Sequence, residues 1–584
     1  MSNSTLRSTV SQSKSKSLKV AFLGSRSFKR PLVLMAAMVG SLAGFSASFG
    51  QTVSDWKTNA NGNWSDTANW TAGVPNGVDD VANITFQISA NRTITLDAGA
   101  TPVTLGTLNI GDVSGGSTYT ITGGQLIFDV NTGAAQLNMV NDGGNATISS
   151  AIQLNDQLDI TVTDPSNSQG PILSGAITGG VAPGSVAMTF QDLSPSGMNW
   201  ILLNNAGNTF TGQFVVQSGT LRYETNNTVA GAVGVGNETI ALSGGSIDLR
   251  DRDFNISGQN DTEIFIISGF GNDGNGNGAI RNTAGTANLS HLILADDASS
   301  GGYSRIDLNT YTDASSATVY PIFDMGGNEF SKTGTSDFVL HNTTILNPGI
   351  INVREGEMRL ESNSGSATNA TILNNQTVNI FYNKNALDTT TFVGSDPTQG
   401  SRTSDPFNPN TSLNPISGNT VQDARLEFYW QDAVTHTGAT INMGEYSALQ
   451  RNGPTGAGQV FNTIIDATST INLMGGAAGL TGFDINGGSG GYNSGTSLYD
   501  APGALIIQGQ IDNTSSYNTG TVSGTNSGEG FALRGNRTLQ LENANPNFDG
   551  TVIIKQQTGR WLPGGFNTGN GALESQYANL HLAG

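Results

Sequence analysis

The stretch GQFVVQSGTLRYE, Gly212 to Glu224, returns in altered form as GIINVREGEMRLE, Gly349 to Glu361. Laid over one another, Val216 falls on Val353, Gly219 on Gly356, Leu221 on Met358, Arg222 on Arg359, Tyr223 on Leu360 and Glu224 on Glu361. Every apolar position meets an apolar one. The same slots recur in YTITGGQLIFD, through Tyr119, Ile121, Gly124, Leu126, Phe128 and Asp129, and in IALSGGSIDL, through Leu242, Gly245, Ile247 and Leu249. The shared grammar is alternation, two turn residues ending in Gly, and alternation again. Alternation sends every second side chain to one face, so each phrase predicts two short strands. The intervening Gly lets the backbone bend without a Cβ clash.

Two architectures use such a pair: an antiparallel hairpin, or consecutive sides of a solenoid coil. Longer alignments help to decide. NAGNTFTGQFVV from Asn205 aligns with NANPNFDGTVII from Asn543, placing Phe210 on Phe548 and Gly212 on Gly550, and IALSG from Ile240 aligns with LHLAG from Leu580. The second version carries KQQTG where the first has QSG, and this even insertion preserves which face points inward. Irregular spacing at constant face parity predicts an all-β parallel β-helix whose repeating unit is longer than one hairpin. At roughly 20 residues per coil, about 25 coils stacked ~4.8 Å apart are expected.

A chain of 584 residues exceeds one ordinary globular domain unless it grows by repetition without deepening its core. Its 77 Gly, with charged residues at only 12%, suit short strands joined by tight turns and lack the periodic Leu, Ala, Glu and Lys of a helical protein. Disordered linkers share this composition but do not alternate as LDITVTD does from Leu158 to Asp164. The absence of Cys excludes a disulfide scaffold and thiol chemistry.

Residues 1–30 carry Arg7, Lys14, Lys16, Lys19, Arg26, Lys29 and Arg30 and no acid. The apolar run PLVLMAAMVGSLAGF follows from Pro31 to Phe45, and Ser48 and Gly50 are spaced for cleavage before Gln51. Residues 1–50 therefore read as an export signal, the apolar run being short of the ~20 residues of a membrane span. Its removal leaves 18 Lys and Arg against 45 Asp and Glu, a balance of −27. Such a surface repels phosphate backbones and anionic lipid, which argues against nucleic acid and direct membrane contact.

Trp56, Trp64 and Trp70 fall within one short span of a chain with 6 Trp in all. Residues 51–100 read as a Trp-rich N-terminal cap that plugs the apolar end of an array over residues 101–584. The functional alternative for these indoles is a sugar-stacking platform.

DLRDRDF, Asp248 to Phe254, is the densest charge cluster, and Asp248, Arg250, Asp251, Arg252 and Asp253 are the acids and arginines that a polysaccharide lyase or hydrolase would gather. Alternation instead sends neighbours to opposite faces, which makes a solvated rim. GNDGNGNG from Gly271 places Asp273, Asn275 and Asn277 like the first half of a calcium loop, but the twelfth position is Ala284, not the closing Glu. His291, His341, His436 and His581 lack metal-ligand spacing and read as strand residues. No nucleophile elbow and no phosphate-cradling Gly loop stands in the sequence. We therefore assign no catalytic, cofactor-binding or metal residue and expect no enzyme and no cofactor.

TFTGQFVVQSGTLRYE, VGVGNETIALSGGSIDL and GNWSDTANWTAGVPNGVDDVANITF together resemble autotransporter-associated β-strand repeat proteins of Gram-negative bacteria. The resemblance is clear over Asn205–Leu249 and Asn543–Gly584 and fair over Phe330–Glu361 and the Trp-rich start. It implies an exported passenger forming a right-handed parallel β-helix, followed by an outer-membrane barrel or a short sorting tail beyond Gly584, and it carries no catalytic residues. The chain stops at ANLHLAG, in the middle of a repeat, so a fragment of a longer reading frame is expected. The expected role is a structural or adhesin-like module at the cell surface, partnered by surface polysaccharide or another cell-surface protein. A carbohydrate-active enzyme on the same scaffold is the alternative.

Overall fold

The two halves of GQFVVQSGTLRYE do not pair with each other. In the computed structural model of the protein, Gln213–Val216 pairs in parallel with Val186–Asp192 before it and Thr239–Ala241 after it. Gly219–Tyr223 pairs in parallel with Trp200–Leu203 and Gly245–Asp248. The hairpin is excluded, and the phrase forms consecutive sides of a coiled path. Gly219 makes the corner at φ +78°, where a Cβ would stand 2.8 Å from the Asn199 carbonyl oxygen of the preceding rung. Gly356 does the same for the second phrase at φ +68°.

The structure describes residues 51–542 with internal breaks, the longest being 381–423 and 513–530, together with the strands Val552–Ile554 and Asn579–Leu582. The expected export signal, residues 1–50, lies outside the described residues. Those described are all-β, with a single 3-10 turn at Thr67–Asn69 as the helical element among them. A sheet of 27 strands dominates. It consists of two parallel ladders, one running from Val53–Asp55 to Thr344–Leu346, the other from Gly62–Asn63 to Gln510–Asp512. The strand His291–Gly302 joins them: its first part pairs with Ile264–Gly269 in the first ladder and its last part with Ile280–Asn282 in the second. A further side is closed by a ladder of four strands starting at Val103–Leu105, later by one of nine starting at Thr286–Leu289, and a ladder of five starts at Val434–His436. Antiparallel pairing among the described residues is limited to the hairpins Tyr311–Thr312 with Thr318–Val319 and Tyr492–Asn493 with Leu498–Tyr499, and a Trp56–Trp70 bridge. This connectivity is compatible with a β-solenoid.

Apolar side chains fill the inside at period two. Phe214, Val216, Leu221 and Tyr223 are buried, and so are Ile351, Val353, Met358 and Leu360 in the second phrase. Each buried side chain of this size contributes roughly 1.5–3 kcal/mol relative to exposure. Outward amides stack as well. Asn83 donates to Asp55 Oδ1, Asn109 to Asn83, and Asn138 to Asn109, at 2.7, 2.7 and 2.8 Å. A second column runs from Glu329 through Asn352, Asn379 and Asn442 to Asn472.

Two expectations require correction. Along the first ladder Ile293 meets Asp324, 31 residues on, and Asp324 meets Leu346, 22 on. Elsewhere Trp200 meets Thr220 and Ile280 meets Ser300, each 20 residues on, so the roughly 20 residues read from sequence are the short end of a variable coil whose corners carry loops that alternation does not reveal. Leu242 also does not take the inward slot. Val216 pairs with Ala241 and Gly219 with Gly245, so this corner holds one extra residue, and Leu242 is pushed out to 41% exposure beside Gly244 at φ +101°.

The three N-terminal indoles interlock in the core. Trp70 meets Trp56 edge-on at 5.3 Å and Trp64 at 4.8 Å between ring centroids. Their Nε1 atoms donate to carbonyl oxygens of Thr58, Pro75 and Trp64. None is more than 1% exposed, so no face is open to a sugar ring.

Candidate functional site

Parallel pairing stacks equivalent positions one rung apart, and on the outer face of the second ladder it builds a column of charge. Leu202, Arg222, Asp248, Arg281 and Gly301 lie in register on successive strands. Their chain neighbours Leu221, Ile247 and Ile280 point into the core, which fixes the charged residues outward. Asp248 is held between two arginines. Its carboxylate accepts from the Thr283 backbone N–H at 3.2 Å and from the Thr283 hydroxyl at 2.8 Å, and Arg281 Nε stands 3.8 Å away. Arg281 Nη2 donates to Thr220 Oγ1 at 3.2 Å.

Beyond Arg281 the column continues as Gly301, which contributes no side chain. A cavity of about 380 Å³ opens there, lined by Arg222, Asp248, Arg250, Arg281, Thr283, Gly302 and Tyr303. The Arg222 guanidinium lies over the Trp200 ring at 5.1 Å, and its buried Nε meets no hydrogen-bond partner among the described residues. Burial pulls the Arg222 pKa down to about 10, against the opposing pull of Asp248 and with the help of Arg281 and Arg250. Arg250 pairs with Glu224 at 3.3 Å on the rim. Tyr303 stands at the mouth, 68% exposed. Three guanidinium groups thus line the cavity with one carboxylate, Asp248, which Thr283 already bonds, while Glu224 offsets Arg250 from the rim, in a chain of net charge −20.

The cluster Asp248–Asp253 is divided by this geometry. Asp248 and Arg250 reach the cavity; Asp251 accepts from the Thr286 N–H at 2.7 Å, Asp253 from Asn288, and Arg252 donates to the Glu224 carbonyl oxygen. Arg250 and Asp251 have positive φ, 47° and 62°, so the chain turns sharply just where the charges separate.

A second cluster, unread in the sequence, surrounds Arg359 on the outer face of the nine-stranded ladder. Arg359 Nη2 stands 2.8 Å from Glu357 and 3.4 Å from Asp337, Nε bonds Glu427, and the guanidinium lies over Tyr429 at 4.7 Å. Burial works to lower the Arg359 pKa, but Glu427, Glu357 and Asp337 overcome it and hold it raised. Burial and then the Glu357 charge push the Glu427 carboxyl well up. Burial also opposes ionisation of Glu357, yet its bond to Glu427 and the Arg359 charge bring it down to about 2. The signal that points to both clusters is the Arg222–Arg359 match between the two phrases; what it lacks is the partners, since Glu427 lies 68 residues from Arg359.

His291, His341, His436 and His581 all lie in strands. His436 is buried, with Nε2 2.9 Å from Gln431 and Nδ1 accepting from the Leu373 N–H, and burial lowers its pKa to about 3. Asp273, Asn275 and Asn277 lie outside the described residues. Among the described residues no group of three or more His, Asp and Glu is gathered to hold a metal ion, and no helix is long and apolar enough to cross a membrane. Compared with models of known protein families, with curated proteins and with solved structures, the chain matches none.

Proposed function

We propose that the protein is an exported, surface-displayed β-solenoid passenger of the autotransporter-associated repeat kind. It acts as a structural or adhesin-like module, with a right-handed coil closed at its N-terminal end by the three interlocked indoles. The observation that carries this reading is the parallel pairing of the second ladder, continuous from Gly62–Asn63 to Gln510–Asp512, along which loops change while the inward pattern holds. Such a scaffold lengthens by adding rungs and presents its outer face along many strands. The acids of the Asp248–Asp253 cluster serve as acceptors for neighbouring rungs, which favours holding and binding over catalysis. Purified protein offered a panel of acidic and neutral polysaccharides should bind without turnover, and turnover would overturn the reading. Export predicts a mature chain beginning at Gln51 and labelled from outside intact cells.

The carbohydrate-active enzyme is the second reading, and the Glu357–Glu427 pair favours it. With Asp337 the pair stands around Arg359 on one outer face, a gathering of acids and an arginine such as glycosidic chemistry uses. Turnover lost in Glu427→Gln would support it.

A further inference from the structure

We propose that the arginine-lined cavity on the second ladder binds the carboxylate of a hexuronate unit in an acidic polysaccharide, an assignment that rests on the binding-module reading above. Arg222 carries a full charge in a partly dry place, with a buried Nε that no described group satisfies. A buried donor left unmade is costly, and a planar carboxylate answers a guanidinium through two parallel bonds. Arg281 points to the same space from two rungs along, its Nη2 held on Thr220. The room beside them exists because Gly301 follows Arg281 in the column and Gly302 lines the wall; at Gly302, a Cβ would fall 2.2 Å from the Asn282 carbonyl oxygen.

Asp248 selects the charge of the ligand. Its carboxylate remains in the lining, so a doubly charged phosphate monoester meets more repulsion than a singly charged carboxylate. Tyr303 supplies the other half of the recognition: an exposed ring at the mouth offers an apolar face to the C–H side of a sugar. The volume of about 380 Å³ is at the small end for ligand sites and suits one sugar unit, with the rest of the chain continuing past Tyr303. Because the whole protein is acidic, attraction is confined to the cavity and is screened beyond ~8 Å at physiological salt.

The test is isothermal titration of the full chain with a galacturonate oligomer, its methyl ester, a sulfated galactan oligomer and a neutral galactan oligomer of equal length. The galacturonate oligomer should bind, and the methyl ester and neutral oligomer should bind at least about tenfold more weakly, the loss of one charge-assisted bond. Arg222→Met should weaken binding about tenfold or more, and Arg222→Lys should restore only part of it, since an ammonium lacks the fork. Tyr303→Ala, at an exposed position that leaves folding intact, should weaken it by about threefold. Equal binding of acid and ester, preference for the sulfated oligomer, or indifference to both Arg222→Met and Tyr303→Ala would overturn the assignment. Neutral-oligomer binding unaffected by Arg222→Met would overturn the cavity and leave the module reading standing. Turnover of a galacturonate oligomer whose binding needs Arg222 would keep the cavity and overturn the non-enzymatic reading.

Discussion

Arg222 and Arg359 occupy the same slot of the same phrase, and their surroundings are opposite. Both stand outward between two buried apolar residues, after a Gly corner. Arg222 has one carboxylate in its column, already bonded to Thr283, and its pKa falls. Arg359 has Glu427 one rung on, with Glu357 and Asp337 beside it, and its pKa rises. The phrases also sit at different corners: the first spans the two ladders of the large sheet, the second spans the second ladder and the nine-stranded one. The phrase specifies a corner and its core, while the rungs before and after decide the chemistry of its outer face.

The largest expected effect tests the half that the regions share. Leu221→Ala and Met358→Ala should each lower stability by about 2–5 kcal/mol, because both leave a cavity in a fully buried slot. Denaturant midpoints check this, and a loss at one site without the other would break the equivalence. The arginines should then diverge. Arg359→Met strands the Glu357 and Glu427 carboxyls and should cost about 3–5 kcal/mol, whereas Arg222→Met removes a poorly solvated cation and should cost less than ~1 kcal/mol or stabilise.

Acid should sharpen the contrast further. His436 packs on Phe428, the residue after Glu427. Its folded pKa of about 3 lies below the ordinary value near 6.5, so the unfolded chain takes up the proton first. Stability is therefore full above about pH 6.5 and falls as pH drops toward 3, by at most about 1.4 kcal/mol per pH unit. His436→Gln should flatten that slope in urea melts between pH 4 and 7, with any remaining slope arising from other groups. The smallest effect is expected at the irregular corner: Leu242→Ser should change stability by less than ~0.5 kcal/mol, whereas an inward Leu242 would make it a core lesion.

The strands and their corners were legible because alternation and Gly are local signals, and Gly219 and Gly356 each carry positive φ at the predicted bend. Leu242 was misread because one residue inserted at a corner leaves the flanking letters looking aligned while shifting which of them faces inward. The cavity was half legible. Asp248 and Arg250 stood out as charges, but Arg222, Arg281 and Tyr303 join them only through the stacking of strands that lie far apart along the chain. The Arg359 cluster was hidden for the same reason. A single strand shows what lies beside a residue along the chain, and a ladder adds what lies above and below it.

The asparagine columns have a direction. In both, every side-chain amide donates toward the N-terminal end, and each column terminates there on a carboxylate, Asp55 in one and Glu329 in the other. Head-to-tail amides add their dipoles, as peptide units do along a helix, and an anion at the positive end lowers the energy of the whole row. The row is thus a polar wire grounded at one end. At the other end of the first column the Thr161 hydroxyl donates to Asn138 Oδ1 at 2.6 Å, so the row ends on a donor from the next rung and its polarity suits one sense of stacking and not the reverse.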